Sequence, residues 1–346
     1  MTRSRSQPPE TLVADLGGTN LRLALMTRGS DALIQPRSFA VAAFGDFGAA
    51  IDEYLRLTGA GRPALAVVAV AGPVEDGAAR LTNSGWRVSE ADLRSQGFAA
   101  ARLINDYEAL ALSLERLGSS DLHPIGSAPL NPASGNLLVI GAGTGLGVGA
   151  LVREGAAAAV AATEGGHIAF AATDAVEVEI LQRLQARFGR VSAERVLSGP
   201  GLHNLHQALA EISGALCDPL SPEQIVDRAL DGSCALCVAT LDRFCSIYGA
   251  VAGDLALAFG ARGGVYLGGG IAPRIAERLA GGGFRRAFEA KGRFASYVAA
   301  IGTAIITHPF AALVGCGRAR VERDPMARDP AREPSLIGSP AAKVNA

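Results

Sequence analysis

Apolar residues along this chain come in short runs punctuated by glycine, and two runs share one pattern. Leu12-Val-Ala-Asp-Leu-Gly-Gly-Thr-Asn-Leu-Arg-Leu-Ala-Leu25 and Leu138-Val-Ile-Gly-Ala-Gly-Thr-Gly-Leu-Gly-Val-Gly-Ala-Leu151 are equal in length, each an aliphatic run, a Gly/Thr turn and a second alternating run. That is the pattern of strand, tight turn, strand. Two related halves are therefore expected, each opening on a glycine-rich hairpin, with a ligand held between them and its phosphates against both turns. Two unrelated hairpins are the plain alternative. Residues 64–70 and 101–104 predict buried strands, the second ending at Asn105-Asp106. Over 107–117 the apolar positions 110, 114 and 117 share a helical face with Glu108 and Glu115 off it, so Asn105-Asp106 sits where a strand ends and a helix opens. Helices are predicted over 176–188, 193–197, 202–212, 222–230 and 235–258, then a strand and glycine turn over 263–270, with Pro273 starting a further helix. Strands alternating with helices argue for an α/β fold.

Composition narrows the classes. The 346 residues are 49% hydrophobic with a net charge of -1, which excludes a collagenous or globally disordered chain and argues against nucleic-acid binding by bulk charge. Lysine occurs only at Lys291 and Lys343, so lysine-based chemistry is not expected. Residues 1–10 and the charged, aperiodic segment 321–346 read as disordered. No signal peptide is readable, and no uninterrupted apolar stretch approaches the roughly 18 to 20 residues of a spanning helix, so no membrane partner and a cytoplasmic location are expected. Five cysteines, Cys217, Cys234, Cys237, Cys245 and Cys316, suit reduced thiols, and disulfides are not expected.

Four clusters carry candidate chemistry. Asp15-Leu-Gly-Gly-Thr19 places an acid at a strand end ahead of glycine amides and a hydroxyl, a set able to meet phosphate oxygens and, through Asp15, Mg²⁺ directly or through water. A plain hairpin reads equally well. In Gly141-Ala-Gly-Thr-Gly-Leu-Gly147 the third glycine is one residue late for a dinucleotide fingerprint and the sequence after it reads as strand, and no GxxxxGK[ST] occurs anywhere. Phosphate binding must then rest on backbone amides and a metal. Asn105-Asp106 is either a helix N-cap or, with a carboxylate facing a cleft, a base for an attacking hydroxyl. Glu164-Gly-Gly-His167 lets a carboxylate and an imidazole reach one ligand, such as vicinal hydroxyls; His123, His203, His206 and His308 do not stand at metal-ligand spacing with it. His203 and His206 read as helix-surface residues, Glu194 as a first-turn acid, and Cys234-x-x-Cys237 as ordinary helix packing.

Together these segments, with Leu103-Ile-Asn-Asp106, Ser192-Ala-Glu-Arg-Val-Leu-Ser-Gly-Pro-Gly201 and Gly263-Gly-Val-Tyr-Leu-Gly-Gly-Gly-Ile271, closely resemble the bacterial ATP-dependent glucokinases, from about residue 12 to about 316. The resemblance implies a two-lobed, actin-like (ribonuclease H-like) ATPase fold. A small α/β domain of residues 11–117 and 306–320 would face a large one of 118–305 across a cleft. It implies transfer of the ATP γ-phosphoryl group to the 6-hydroxyl of glucose, with ATP and Mg²⁺ bound, and a homodimer. It further implies Asp106 as catalytic base and Asn83, Asn105, Glu164, His167 and Glu194 as sugar ligands. Ala14, Asp15, Leu16, Gly17, Gly18 and Thr19 would form the first phosphate loop, Gly143, Thr144 and Gly145 the second, and Gly268, Gly269 and Gly270 the adenosine-side loop. Ala169 replaces a family-typical acid just after the histidine. Three other readings stay open: a kinase of the ROK group acting on another hexose or amino sugar, though no cysteine-rich zinc motif follows His167; an actin-like or chaperone-like ATPase; and a sugar sensor without catalysis.

Overall fold

The structure, a computed structural model, describes residues 10–27, 30–81, 85–155, 157–215 and 219–321. Residues 1–9 and 322–346, expected to be disordered, and Cys217 lie outside them. Two sheets repeat one topology. The first takes strands β1 (Thr11–Leu16), β2 (Asn20–Met26), β3 (Ile34–Ala40), β4 (Leu65–Val70) and, after a small hairpin of β5 (Ala78–Arg80) and β6 (Arg87–Ser89), β7 (Ala100–Asn105), in the order β3-β2-β1-β4-β7. The second takes β8 (Leu122–Ile125), β9 (Leu137–Ala142), β10 (Leu146–Glu154), β11 (Ala157–Thr163), β12 (Gly264–Gly268) and β13 (Thr303–Ile306), in the order β11-β10-β9-β12-β13-β8. In each sheet a hairpin strand pairs antiparallel with the first strand, and parallel strands follow on its other side. The two similar segments of the sequence are the β1–β2 and β9–β10 hairpins, so the halves are related in fold.

Helices cover the faces where apolar positions recur at helical spacing. α1 (Phe47–Thr58) starts at Asp46, whose side chain accepts from Ala49 N, and stops at the left-handed Gly59. It buries Phe47, Ala50, Ile51, Tyr54 and Leu55 on the first sheet. α2 (Glu90–Ser95) follows β6, and α3 (Asp106–Ser113) follows β7. On the second sheet lie α4 (Ala175–Phe188), α5 (Gly199–Ser213), α6 (Pro222–Leu230) and α7 (Ala235–Phe259), then four short helices, α8 (Ile271–Arg274), α9 (Ala276–Ala280), α10 (Gly283–Glu289) and α11 (Ala295–Ala299). The last helix, α12 (Ala311–Cys316), returns to the first sheet, where Leu313 and Cys316 pack with Val13, Val67 and Ile104.

α3 is common to both cores. Ala109 packs with the first sheet, Ala111 and Leu114 with the second, and Leu110 with both. Its N-terminus is thereby fixed between the two hairpins.

Some expectations need correction. The helix expected over 193–197 is a single 3₁₀ turn, Ala193–Arg195, because Ser198 already caps α5 by accepting from Gly201 N. The helix opened at Tyr107 ends at Ser113, short of residue 117, and Pro273 stands inside α8. α7 is apolar and long enough to cross a membrane by composition alone, yet 61% of its most apolar window is buried in the protein, where Phe244, Tyr248 and Leu255 join the second core. His206 is not a surface residue: it is 1% exposed.

Candidate active site

Asp106 owes its position to the cap of α3. Asn105 Oδ1 accepts from the backbone N–H groups of Tyr107 (2.8 Å) and Glu108 (3.4 Å), and its Nδ2 donates to Gly72 O at 3.1 Å. Asn105 is therefore a helix cap, and its acceptor is committed to that role. What remains for a sugar hydroxyl is the second amide hydrogen. Asp106, the first residue of α3, has its carboxyl pushed up to about 7 by burial, then by the Asp15 charge and, less, by Glu164, against the opposing backbone N–H of Tyr107. A single carboxylate at the head of a helix thus sits within the electrostatic reach of acids from both sheets.

The first glycine turn, residues 17–19, follows β1. Gly17 N donates to Asn20 O at 2.9 Å, closing the turn, and Thr19 is exposed at its tip. Asp15 lies opposite Arg22 in the hairpin register, and Arg22 donates to Asp15 Oδ2 at 2.7 Å. Burial pushes the Asp15 carboxyl up while Arg22 opposes the shift. This guanidinium was missed in the sequence; the strand period, which faces residues 15 and 22 across a tight hairpin, was the signal available.

The second turn, Gly143–Gly145, has its N–H of Gly143 bonded to Gly145 O at 2.8 Å. Its neighbours Gly141, Gly147 and Gly149 lie beneath Tyr107 of α3: a Cβ at any of the three would collide with that residue. Tyr107 Oη donates to Gly141 O at 2.7 Å. Tyr107, also unremarked in the sequence, is what locks α3 to the second hairpin. The third turn, Gly268–Gly270, packs on the same place, since the left-handed Gly269 (φ 78°) lies against Ala142 and has no room for a side chain. The second and third turns therefore abut.

The segments of Glu164, His167 and Glu194 are joined by backbone stitching. Glu164-Gly-Gly-His167 forms a 3₁₀ turn after β11, and Gly166 lies so close to Leu146 O that a Cβ would overlap it. The two glycines serve close packing on β10, not the side-chain freedom read from the sequence. Phe170 N donates to Val191 O at 3.0 Å and Ala193 N to Ile168 O at 2.8 Å, which brings the turn holding Glu194 alongside. Arg190 donates to His167 O at 2.7 Å, a further contact the sequence did not reveal. The Glu164 and His167 side chains are 70% and 55% exposed and 4.0 Å apart, open to an incoming ligand. Glu194 does not cap its own turn; its Oε2 accepts from Leu146 N at 3.0 Å, directly after the second glycine turn. Asn83 lies outside the described residues. A separate cavity lined by Thr173, Asp242, Cys245, Ser246, Arg278 and Arg286 shares none of these residues.

Two glycine turns, a carboxyl raised to about 7 and an open acid–imidazole pair are chemically able to bind a phosphate chain and a polyhydroxyl compound. The donor set also fits Mg²⁺, which takes oxygen ligands, keeps several waters and needs only one or two carboxylates.

Comparison with known proteins identifies the family. The family model Glucokinase matches residues 12–322. A glucokinase of Caulobacter sp. (strain K31) is 50% identical over 308 residues, covering 88% of this chain and 93% of that protein. The crystal structure of a glucokinase from an Antarctic psychrotroph aligns with a TM-score of 0.82 at 36% identity, over 90% of this chain and 98% of that one. A ROK family glucokinase from Streptomyces griseus, solved with glucose and AMPPNP, shares the fold at a TM-score of 0.58 and 19% identity, over 89% of this chain and 97% of that one. On the family match and the identity across most of its length, this chain belongs to the glucokinase family, whose members are ATP-dependent phosphotransferases.

Proposed function

We propose that this chain carries out its family's reaction, transfer of the ATP γ-phosphoryl group to the 6-hydroxyl of glucose, with Asp106 as general base. The observation that carries the assignment is the Asp106 carboxyl, raised to about 7 at the head of a helix that packs against both sheets. A base of that strength is ionised in good part at neutral pH and still takes a proton readily, which is worth ~10² to 10⁴ in rate. Glu164, His167, Glu194, the second amide hydrogen of Asn105, and Asn83 hold the sugar hydroxyls. The 6-hydroxyl proton passes to Asp106, the oxygen bonds to the γ-phosphorus, the bond to the β-phosphate oxygen breaks, and ADP leaves.

Ala14, Asp15 and Leu16 lead from β1 into the first turn, residues 17–19; that turn and the second, from Gly143 to Gly145, meet the phosphates with amides other than those of Gly17 and Gly143, which close their own turns, and Gly268–Gly270 lie on the adenosine side. The surrounding side chains Asp15, Asp106, Glu164 and Glu194 are acidic, so the triphosphate needs a counter-charge of its own. Asp15, with Oδ2 held by Arg22, is the residue to hold Mg²⁺ through water; that ion, when bound, neutralises β- and γ-phosphate charge. Residues 11–117 with 306–320 would close as one lobe over 118–305, excluding water and limiting idle ATP hydrolysis. Family membership supports a cytoplasmic homodimer.

Coupled ADP release measured across glucose, fructose, mannose and N-acetyl sugars tests this reading. Glucose should give the highest kcat/KM. No glucose-stimulated ADP release, or an N-acetyl sugar preferred over glucose, would overturn it.

A further inference from the structure

The Cys234-x-x-Cys237 pair stands at the head of α7, with Cys237 in the large core, and includes no residue given a role above. Cys234 is the N-cap of α7, with an extended backbone (φ -136°, ψ 111°) that folds its side chain back over the first helical turn. Its Sγ accepts from Cys237 N at 3.4 Å. Cys234 is half-buried, whereas Cys237, three residues on, is wholly buried and has its Sγ 3.7 Å from Nε2 of His206 on α5. An accessible thiol at a helix head, a buried thiol folded beneath it and an imidazole beside the buried one form a complete set for disulfide exchange. The spacing alone had suggested only packing.

We propose that Cys234 and Cys237 are a dithiol redox site that exchanges with low-molecular-weight disulfides of the glutathione class, Cys234 attacking and Cys237 resolving. The Cys234 thiolate bonds to one sulfur of the small disulfide, whose own sulfur–sulfur bond breaks and releases one thiolate. Cys237 gives its proton to His206 Nε2, and its sulfur bonds to Cys234, expelling the second small thiolate. The proton given up by Cys234 and the one held on His206 pass to the two departing thiolates, so the protein loses two protons and two electrons, the small disulfide gains both, and two small thiols leave.

Reactivity is graded to match. The Cys237 backbone N–H, followed by the Cys237 thiol, holds the Cys234 thiol below its ordinary range, and thiolates rather than thiols are the nucleophiles. Burial pushes Cys245 up to about 12 and Cys316 higher still, so neither competes.

The experiment uses the full chain treated with oxidised glutathione, with linkages mapped by peptide mass spectrometry. Wild type should yield a Cys234–Cys237 disulfide, and Cys237→Ser should instead retain glutathione on Cys234. In the reduced protein iodoacetamide should alkylate Cys234 on the order of a hundredfold faster than Cys245 or Cys316. Cys234→Ser, which preserves a capping atom, should keep its fold and its phosphotransfer rate while losing both modifications. Alkylation of Cys234 no faster than of the buried thiols, absence of the mixed disulfide in Cys237→Ser, or an oxidised linkage to Cys217 in place of the pair would each overturn the proposal.

Discussion

The β1–β2 and β9–β10 hairpins have the same place in their sheets, but they are rich in glycine for different reasons. In the first, a Cβ on Gly17 would stand 3.3 Å from Asn20 O, tight but within reach of a small adjustment. That hairpin supplies its own carboxylate, Asp15, and its own cation, Arg22. In the second, Gly141, Gly147 and Gly149 form a floor for Tyr107, and the carboxylate at the turn is borrowed from Glu194, 48 residues from the amide it accepts. Repetition of a fold did not repeat the chemistry. One hairpin carries charge beside its turn; the other gave up its side chains there so that α3 could lie directly on it.

The largest expected effect tests whether that helix carries the base. Asp106→Asn should lower kcat by ~10² to 10⁴ while glucose still binds, as read by coupled assay and calorimetry. Unchanged turnover would remove the base from the junction of the hairpins.

The second test separates the two glycine sets. Gly147→Ala should cost ~2 to 4 kcal/mol in urea unfolding, because the methyl meets an aromatic ring with no space to move, whereas Gly17→Ala should cost ~1 kcal/mol or less. Combining Gly147→Ala with Tyr107→Ala should recover part of the loss, since the partner in the clash is gone. Equal costs at both glycines would end the contrast.

A pH titration comes next. Asp106 acts ionised, so kcat/KM should fall about tenfold per unit as pH drops below about 7. Stability runs the other way. The folded state holds this proton more tightly than the unfolded chain, for which 3.8 is the reference, so the group's contribution is greatest in acid and is lost as pH rises from 3.8 through about 7. Asp106→Asn should consequently be more stable than wild type at pH 8. Wild-type kcat/KM flat from pH 5 to 8 would contradict the raised carboxyl.

The smallest effect concerns the borrowed acid. Glu194→Ala should raise KM severalfold for glucose and ATP together, since one carboxylate touches the second turn from the sugar side, a loss of ~1 kcal/mol. A change confined to glucose would make Glu194 a sugar ligand only.

Much of the framework was legible before the structure. The paired aliphatic runs marked both hairpins, and the run from residue 100 into Tyr107 marked the strand-to-helix junction of Asp106. Local spacing, caps and turn residues carry such information because they act within a few residues. β3 was not legible: it is an exposed edge strand with Pro36 within it and a positive φ at Gln35, so no alternation shows. Nor was the short 3₁₀ turn at Glu194, where a helix start and a loop look alike over three residues.

Sequence by itself determined the α/β class, the duplicated hairpins and the family. Tertiary structure alone decided the longer partnerships: Tyr107 on the second hairpin, Glu194 on Leu146 N, and Cys237 against His206. These contacts join segments 31 to 48 residues apart, and their distances depend on how sheets and helices pack, whereas local strand register brings Arg22 to Asp15. The rise of Asp106 to about 7 belongs there too, because desolvation and neighbouring charge are properties of the assembled cleft.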